Sequence, residues 1–185
     1  MKHFIYFVVL VVFAVAYASP SYSQVPPAAF CENNEGFSDW DFWVGEWNVY
    51  SNDEAHTFAG TNSVTKHHQG CLIKEDWNSA AGGGGFSVNY FNPNKDEWRQ
   101  VWVSNGYSID YTGGLNDQGA LVLEGKIYNY ASGITRKMRG IWTPEKNGDV
   151  IQHFDTFDAE SGEWKVWFEG RYIRKENDTN PPVNE

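Results

Sequence analysis

From residue 46 to residue 174 the chain never settles into a helical period; it alternates. About ten short segments, at roughly 46–51, 56–66, 70–77, 86–92, 97–104, 107–113, 119–127, 134–142, 149–157 and 163–174, set apolar and polar residues in turn, the period-2 pattern of half-buried strands. The links between them are short and turn-forming: Asn92-Pro93-Asn94-Lys95-Asp96, Asn105-Gly106, Asn116-Asp117-Gln118-Gly119, Asn147-Gly148-Asp149 and Asp158–Glu163. Asn-Gly between alternating segments is the strongest short hairpin signal. Sequential hairpins over ~140 residues make an antiparallel meander, and a meander this long hides its edges by closing. The expectation is an all-β fold: a single antiparallel up-and-down β-barrel of 8–10 strands over residues 38–175, with a short N-terminal helical plug.

Ahead of the barrel, residues 24–37 (with Pro26-Pro27, Asn33-Asn34 and Gly36) read as an irregular arm. Ser38 is placed to cap a helical turn over Asp39–Val44, with acids in the first turn where the helix dipole favours them. Residues 1–23 look like a secretory signal peptide. Met1-Lys2-His3 is a basic start, Phe4–Ala18 is apolar, and Ala16-Tyr17-Ala18 and Ser21-Tyr22-Ser23 each fit a small-x-small cleavage site. The apolar run is shorter than the ~20 residues needed to span a bilayer, so cleavage is expected over anchoring, giving a secreted or periplasmic protein without a membrane partner. Residues 176–185 are too polar to bury anything and read as a disordered tail.

Loss of Lys2 with the leader makes the formal charge one unit more negative than the −10 of the full chain. Such a surface repels phosphate backbones and argues against a nucleic-acid partner. Cys31 and Cys71 are expected to pair in an oxidising compartment, closing a loop worth about 3–4 kcal/mol; two buried thiols are the alternative. Without a nearby His pair they make a poor zinc site, and no metal is expected.

Alternation also assigns faces. Ile73, Glu75 and Trp77 share a face with Cys71, opposite Lys74 and Asp76. The same reasoning points Phe86, Val88 and Tyr90 inward, then Trp98, Gln100 and Trp102, then Tyr107, Ile109 and Tyr111, and finally Trp164, Val166, Phe168, Tyr172 and Arg174. The interior is thus aromatic with a few polar groups: Glu75, Gln100, and Gln152 or His153. A barrel of this size can hold a small molecule or fill itself with rings. The expected ligand set is Glu75, Trp77, Tyr90, Gln100, Trp102, Arg139 and Gln152. The expected ligand is small and partly apolar or aromatic, or a saccharide stacked on Trp faces. Glu75 is the most informative of these residues. A buried carboxylate needs a basic partner such as Arg139 or Arg174, or a ligand hydroxyl or amine; failing that, it keeps a proton and can act as a general acid or base, the basis for an isomerase, cyclase or lyase reading. His153 is a candidate axial haem ligand or a structural histidine, and no cofactor is otherwise implied. His67-His68 sits at a turn. Ala80-Ala81-Gly82-Gly83-Gly84-Gly85 is either a tolerant hairpin turn or a flap at a cavity mouth. Nothing in the sequence separates a monomer from a homodimer.

Gly45-Glu46-Trp47, opening the first strand after a short helical turn, resembles the Gly-x-Trp of the lipocalin/calycin superfamily. That resemblance implies Trp47 packed across the barrel base under an arginine from near the last strand: Arg174, or alternatively Arg171. The longer phrases Asp41–Trp47, Gly70–Trp77, Trp98–Val103, Ile141–Pro144 and Trp164–Arg174 are similar to a family of secreted bacterial lipocalin-like proteins known mainly as a domain of unknown function. Ten strands also fit the nitrobindin and fatty-acid-binding branch; a haem site of the nitrobindin kind would fall to His153.

Overall fold

The computed structural model describes residues 27–179 and 181–182; the expected leader at 1–23 lies outside them. Helix α1 (Pro27–Glu32) and 3-10 turns at Glu35–Ser38 and Asp41–Trp43 precede ten strands. These are β1 (Gly45–Ser51), β2 (Phe58–His67), β3 (Leu72–Ser79), β4 (Gly84–Asn92), β5 (Glu97–Ser104), β6 (Tyr107–Leu115), β7 (Leu121–Asn129), β8 (Thr135–Pro144), β9 (Val150–Asp158) and β10 (Glu163–Arg174). Each strand pairs antiparallel with the next, and β10 returns to β1 through Trp47↔Arg174 and Val49↔Tyr172, closing the barrel. Every strand edge is therefore hydrogen-bonded.

Large rings fit inside because glycines face them. A Cβ at Gly85 would lie 2.5 Å from the Trp102 ring, one at Gly140 2.8 Å from the Trp142 and Phe154 rings, and one at Gly170 2.7 Å from the Phe168 ring. The strand glycines are seats for aromatic side chains, and filling any of them would push a ring off its rotamer or distort the ladder.

One end of the barrel is plugged. Trp40 and Trp43, each fully buried, stack with centroids 4.8 Å apart, and Trp40 meets Trp142 edge-on at 4.8 Å and Trp98 at 5.5 Å. Trp47 Nε1 donates to the Trp43 carbonyl (2.9 Å) and Trp98 Nε1 to that of Gly36 (3.0 Å). The Arg174 guanidinium lies 4.4 Å over the Trp47 ring and donates to the Val44 and Phe42 carbonyls at 3.2 and 3.4 Å, covering the chain ends that no strand pairs. Arg174, not Arg171, takes this place; Arg171 pairs with Asp149 outside. Cys31 and Cys71 are disulfide-bonded, tying α1 to the β2–β3 turn at this same end.

The structure departs from the sequence reading in several places, the first being the arm, where Pro27–Glu32 is helical rather than irregular. Ser38 caps nothing: it ends the first 3-10 turn, and the second follows Trp40 without a side-chain cap. In β4 the inward face is Ser87, Asn89 and Phe91, while Phe86 and Val88 are exposed. In β10 a bulge at Val166–Phe168 shifts the register, so Phe168, Tyr172 and Arg174 face in but Trp164 and Val166 face out. Finally, the chain stays on the barrel past β10. Lys175–Asn177 forms a 3-10 turn and the Asp178 carboxylate accepts from Asn48 (2.8 Å) and Tyr50 (2.7 Å) of β1.

Candidate functional site

Beyond the plug, toward the opposite mouth, the interior is not filled. A cavity of about 400 Å³ remains, within the range that holds small ligands. Its wall is largely aromatic, with Trp77, Trp102, Tyr107, Phe154, Trp167 and Tyr172 among the lining residues. Trp167 stands at the rim, 43% exposed, held edge-on to Tyr107 at 5.4 Å. The Gly-rich stretch forms the β3–β4 turn at this mouth. Gly82 and Gly83 adopt positive φ (88° and 81°), which a side chain would oppose, while Gly84 and Gly85 belong to β4.

Glu75 reaches the cavity from β3 and is 4% exposed. Asn62 Nδ2 donates to its Oε1 (2.8 Å) and Ser87 Oγ to its Oε2 (2.7 Å). Behind Ser87 runs a buried relay. Asn89 donates to Ser87 (2.9 Å) and to the Ile73 carbonyl (3.0 Å), Gln100 donates to Ser87 (3.2 Å) and to Asn89, and the Tyr111 hydroxyl donates to Gln100. No cation meets Glu75 among the described residues. Burial therefore dominates and pushes its pKa up to about 7, against the lowering effect of Ser87 and Asn62. Tyr111 and Tyr172 are held well above the usual phenol value, first by burial and then by the nearby Glu75 charge. Among the described residues five polar side-chain atoms are buried without a partner: Nε1 of Trp40, Trp43 and Trp142 around the plug, and Asn62 Oδ1 and Trp102 Nε1.

Of the residues expected from sequence, Glu75, Trp77, Gln100, Trp102 and Gln152 come together on this wall. Gln152 accepts from the Tyr172 hydroxyl at 2.7 Å. Tyr90 and Arg139 do not join them. Tyr90 sits on the outer face opposite Arg99, since its neighbours Asn89 and Phe91 face in. Arg139 lies outside β8, donating to Asp155 (2.6 Å) and stacking 4.7 Å over Trp164. His153 is outside as well. Its Nδ1 faces Glu169 (2.5 Å) and its Nε2 faces Asp155 (2.8 Å), so both ring nitrogens are engaged away from the interior and it is not placed to ligate a haem held in the barrel. The sequence reading missed Asn62, Ser87 and Asn89 around the carboxylate, and Phe154 and Trp167 at the mouth.

No protein-family model matches the chain, and no curated protein matches it in sequence.

Proposed function

We propose that this barrel is a secreted or periplasmic carrier or sensor that holds a small, partly apolar or aromatic ligand in its cavity, and that it belongs among the calycin-like barrels. One observation carries the reading: a cavity of about 400 Å³, walled by rings, retains a buried carboxylate with no counter-cation among the described residues. A core evolved only to fill itself gains nothing from an uncompensated acid. The closed ten-strand barrel, plugged at one end with Trp47 under Arg174, agrees with the resemblance seen in the sequence. The disulfide suits an oxidising compartment, and no helix among the described residues is long and apolar enough to cross a membrane.

Native mass spectrometry of the gently purified protein, joined to tryptophan emission titrations, tests this. A co-purifying small molecule, or quenching that saturates in wild type and is lost in Ser79→Trp, which sets a ring across the mouth, is the expected result. Identical titrations in a folded Ser79→Trp variant would contradict it. A second reading is favoured by the Glu75 pKa of about 7, a value suited to general acid–base chemistry at neutral pH. In that case the cavity is an isomerase, cyclase or lyase site, and turnover found in a substrate screen would disappear in Glu75→Gln.

A further inference from the structure

We propose that the cavity takes a small organic cation with an apolar or aromatic body, its charged head set against the Glu75 carboxylate and the ring faces around it. The inference rests on the cavity being a ligand site. Among the described lining residues Glu75 is acidic and none is basic. The two arginines that sequence reasoning offered as partners are engaged elsewhere, Arg139 with Asp155 and Arg174 over Trp47. A carboxylate offers about four lone-pair positions, and Asn62 and Ser87 take two, leaving acceptor capacity for a ligand N–H or a close cationic face. Asn62, whose amide bonds Glu75, carries a buried Oδ1 without a partner, but it does not line the cavity. Trp77, Trp102, Tyr107 and Tyr172 line the cavity, and aromatic rings attract positive charge to their faces through their quadrupoles.

The alternatives fit less well. An anion would meet the carboxylate. A saccharide needs many free polar partners, yet Gln100 is spent on Ser87, Asn89 and Tyr111, and the Gln152 carbonyl on Tyr172. The other titratable groups facing the cavity, Tyr107 and Tyr111 from β6 and Tyr172 from β10, are neutral at ordinary pH. Asp76 beside Glu75 points outward and adds negative potential, as does the net charge of −10. Arg136 is exposed at a smaller pocket of about 150 Å³ that shares Tyr107 and Trp167 with the cavity, and solvent screens it there.

The test compares three probes of similar size by tryptophan emission. Phenyltrimethylammonium stays cationic at every pH, benzyl alcohol is neutral, and benzoate is anionic. At pH 8 the cation should bind about tenfold or more tighter than benzyl alcohol, with benzoate weakest. Since Glu75 titrates at about 7, cation affinity should fall about tenfold between pH 8 and pH 6, with benzyl alcohol unchanged. Glu75→Gln, checked for folding by its melting transition, should shrink the preference to what the rings alone supply and erase the pH dependence. The wild-type pH profile serves if that variant does not fold. Equal binding of cation and alcohol, or a flat pH profile, overturns the cation inference while leaving a ligand cavity. Failure of all three probes to bind removes both.

Discussion

Glu75 keeps its proton into the neutral range because burial withholds water from the charged form and two neutral donors replace that water incompletely. A folded pKa of about 7 against an ordinary 4.5 means the folded state binds the proton more tightly than the unfolded chain. Stability should therefore fall as pH rises from the unfolded value through the folded one, by on the order of 3 kcal/mol in all. Glu75→Gln, which removes the charge and keeps the shape, should raise the unfolding free energy at pH 8 by about 1–3 kcal/mol and change it little at pH 4.5. Urea titrations at the two pH values read this directly, and a loss of stability at pH 8 would contradict it. His153 works in the same direction from outside the barrel. Burial opposes its charge, but Glu169 and Asp155 outweigh burial and raise its pKa, so its stabilisation is present at acid pH and fades as pH rises through the folded value. His153→Phe should cost about 0.5–1 kcal/mol at pH 6 and close to nothing by pH 9, discounted for partial exposure. Asp155 is held low by Arg139 and His153 against burial, and Glu169 by His153 first and then Asn52; their contributions are lost only as pH falls through the carboxylate range. Together these place the stability maximum of the unliganded protein between about pH 4.5 and 6.

The plug shows which of two ties is stronger. Burying an indole of ~200 Å² at about 25 cal/mol per Å² is worth about 5 kcal/mol gross, so Trp40 and Trp43 together exceed the disulfide at about 4 kcal/mol. Cys31→Ser with Cys71→Ser should lower the melting temperature by several degrees yet leave ligand titrations intact, whereas Trp40→Ala should cost about 3–5 kcal/mol and loosen the whole plugged end. Near-ultraviolet circular dichroism of the two variants separates them. Strand existence was legible in the sequence because alternation and Asn-Gly turns report local physics, and nearly every boundary falls within two or three residues of expectation. Facing was less legible, for two physical reasons. The polar face of β4 is the buried one, so an apolar-inside rule inverts it. Yet the sequence held the correction. A hairpin that pairs Asn92 with Glu97 pairs Asn89 with Gln100 and Ser87 with Trp102, and directly opposed residues share a face. Trp98, Gln100 and Trp102 facing in therefore requires Ser87, Asn89 and Phe91 facing in. In β10 a one-residue bulge reverses Trp164 and Val166, and alternation within a single strand carries no sign of it.

Closing ten strands leaves two ends with different chemistry: one sealed by stacked indoles, an arginine and a disulfide, the other opening on a ring-walled cavity with an acid at its side. The sealed end was legible because Gly45-Glu46-Trp47 and Arg174 are local and distinctive. The cavity was legible only as an excess of rings, since whether rings fill a barrel or line it depends on the register of all ten strands at once. The nine tryptophans sample these regions separately. Trp77, Trp102 and Trp167 line the cavity, Trp40, Trp43, Trp47, Trp98 and Trp142 belong to the plug and the core behind it, and Trp164 lies outside under Arg139. The most direct measurement is therefore a titration of the ¹⁵N-labelled protein with phenyltrimethylammonium at pH 8, following the indole N–H resonances. A ligand in the cavity should move Trp77, Trp102 and Trp167 together and leave Trp47 and Trp164 in place. Shifts confined to Trp164, or no saturable shift at the three cavity indoles, would contradict the assignment of this cavity as the binding site.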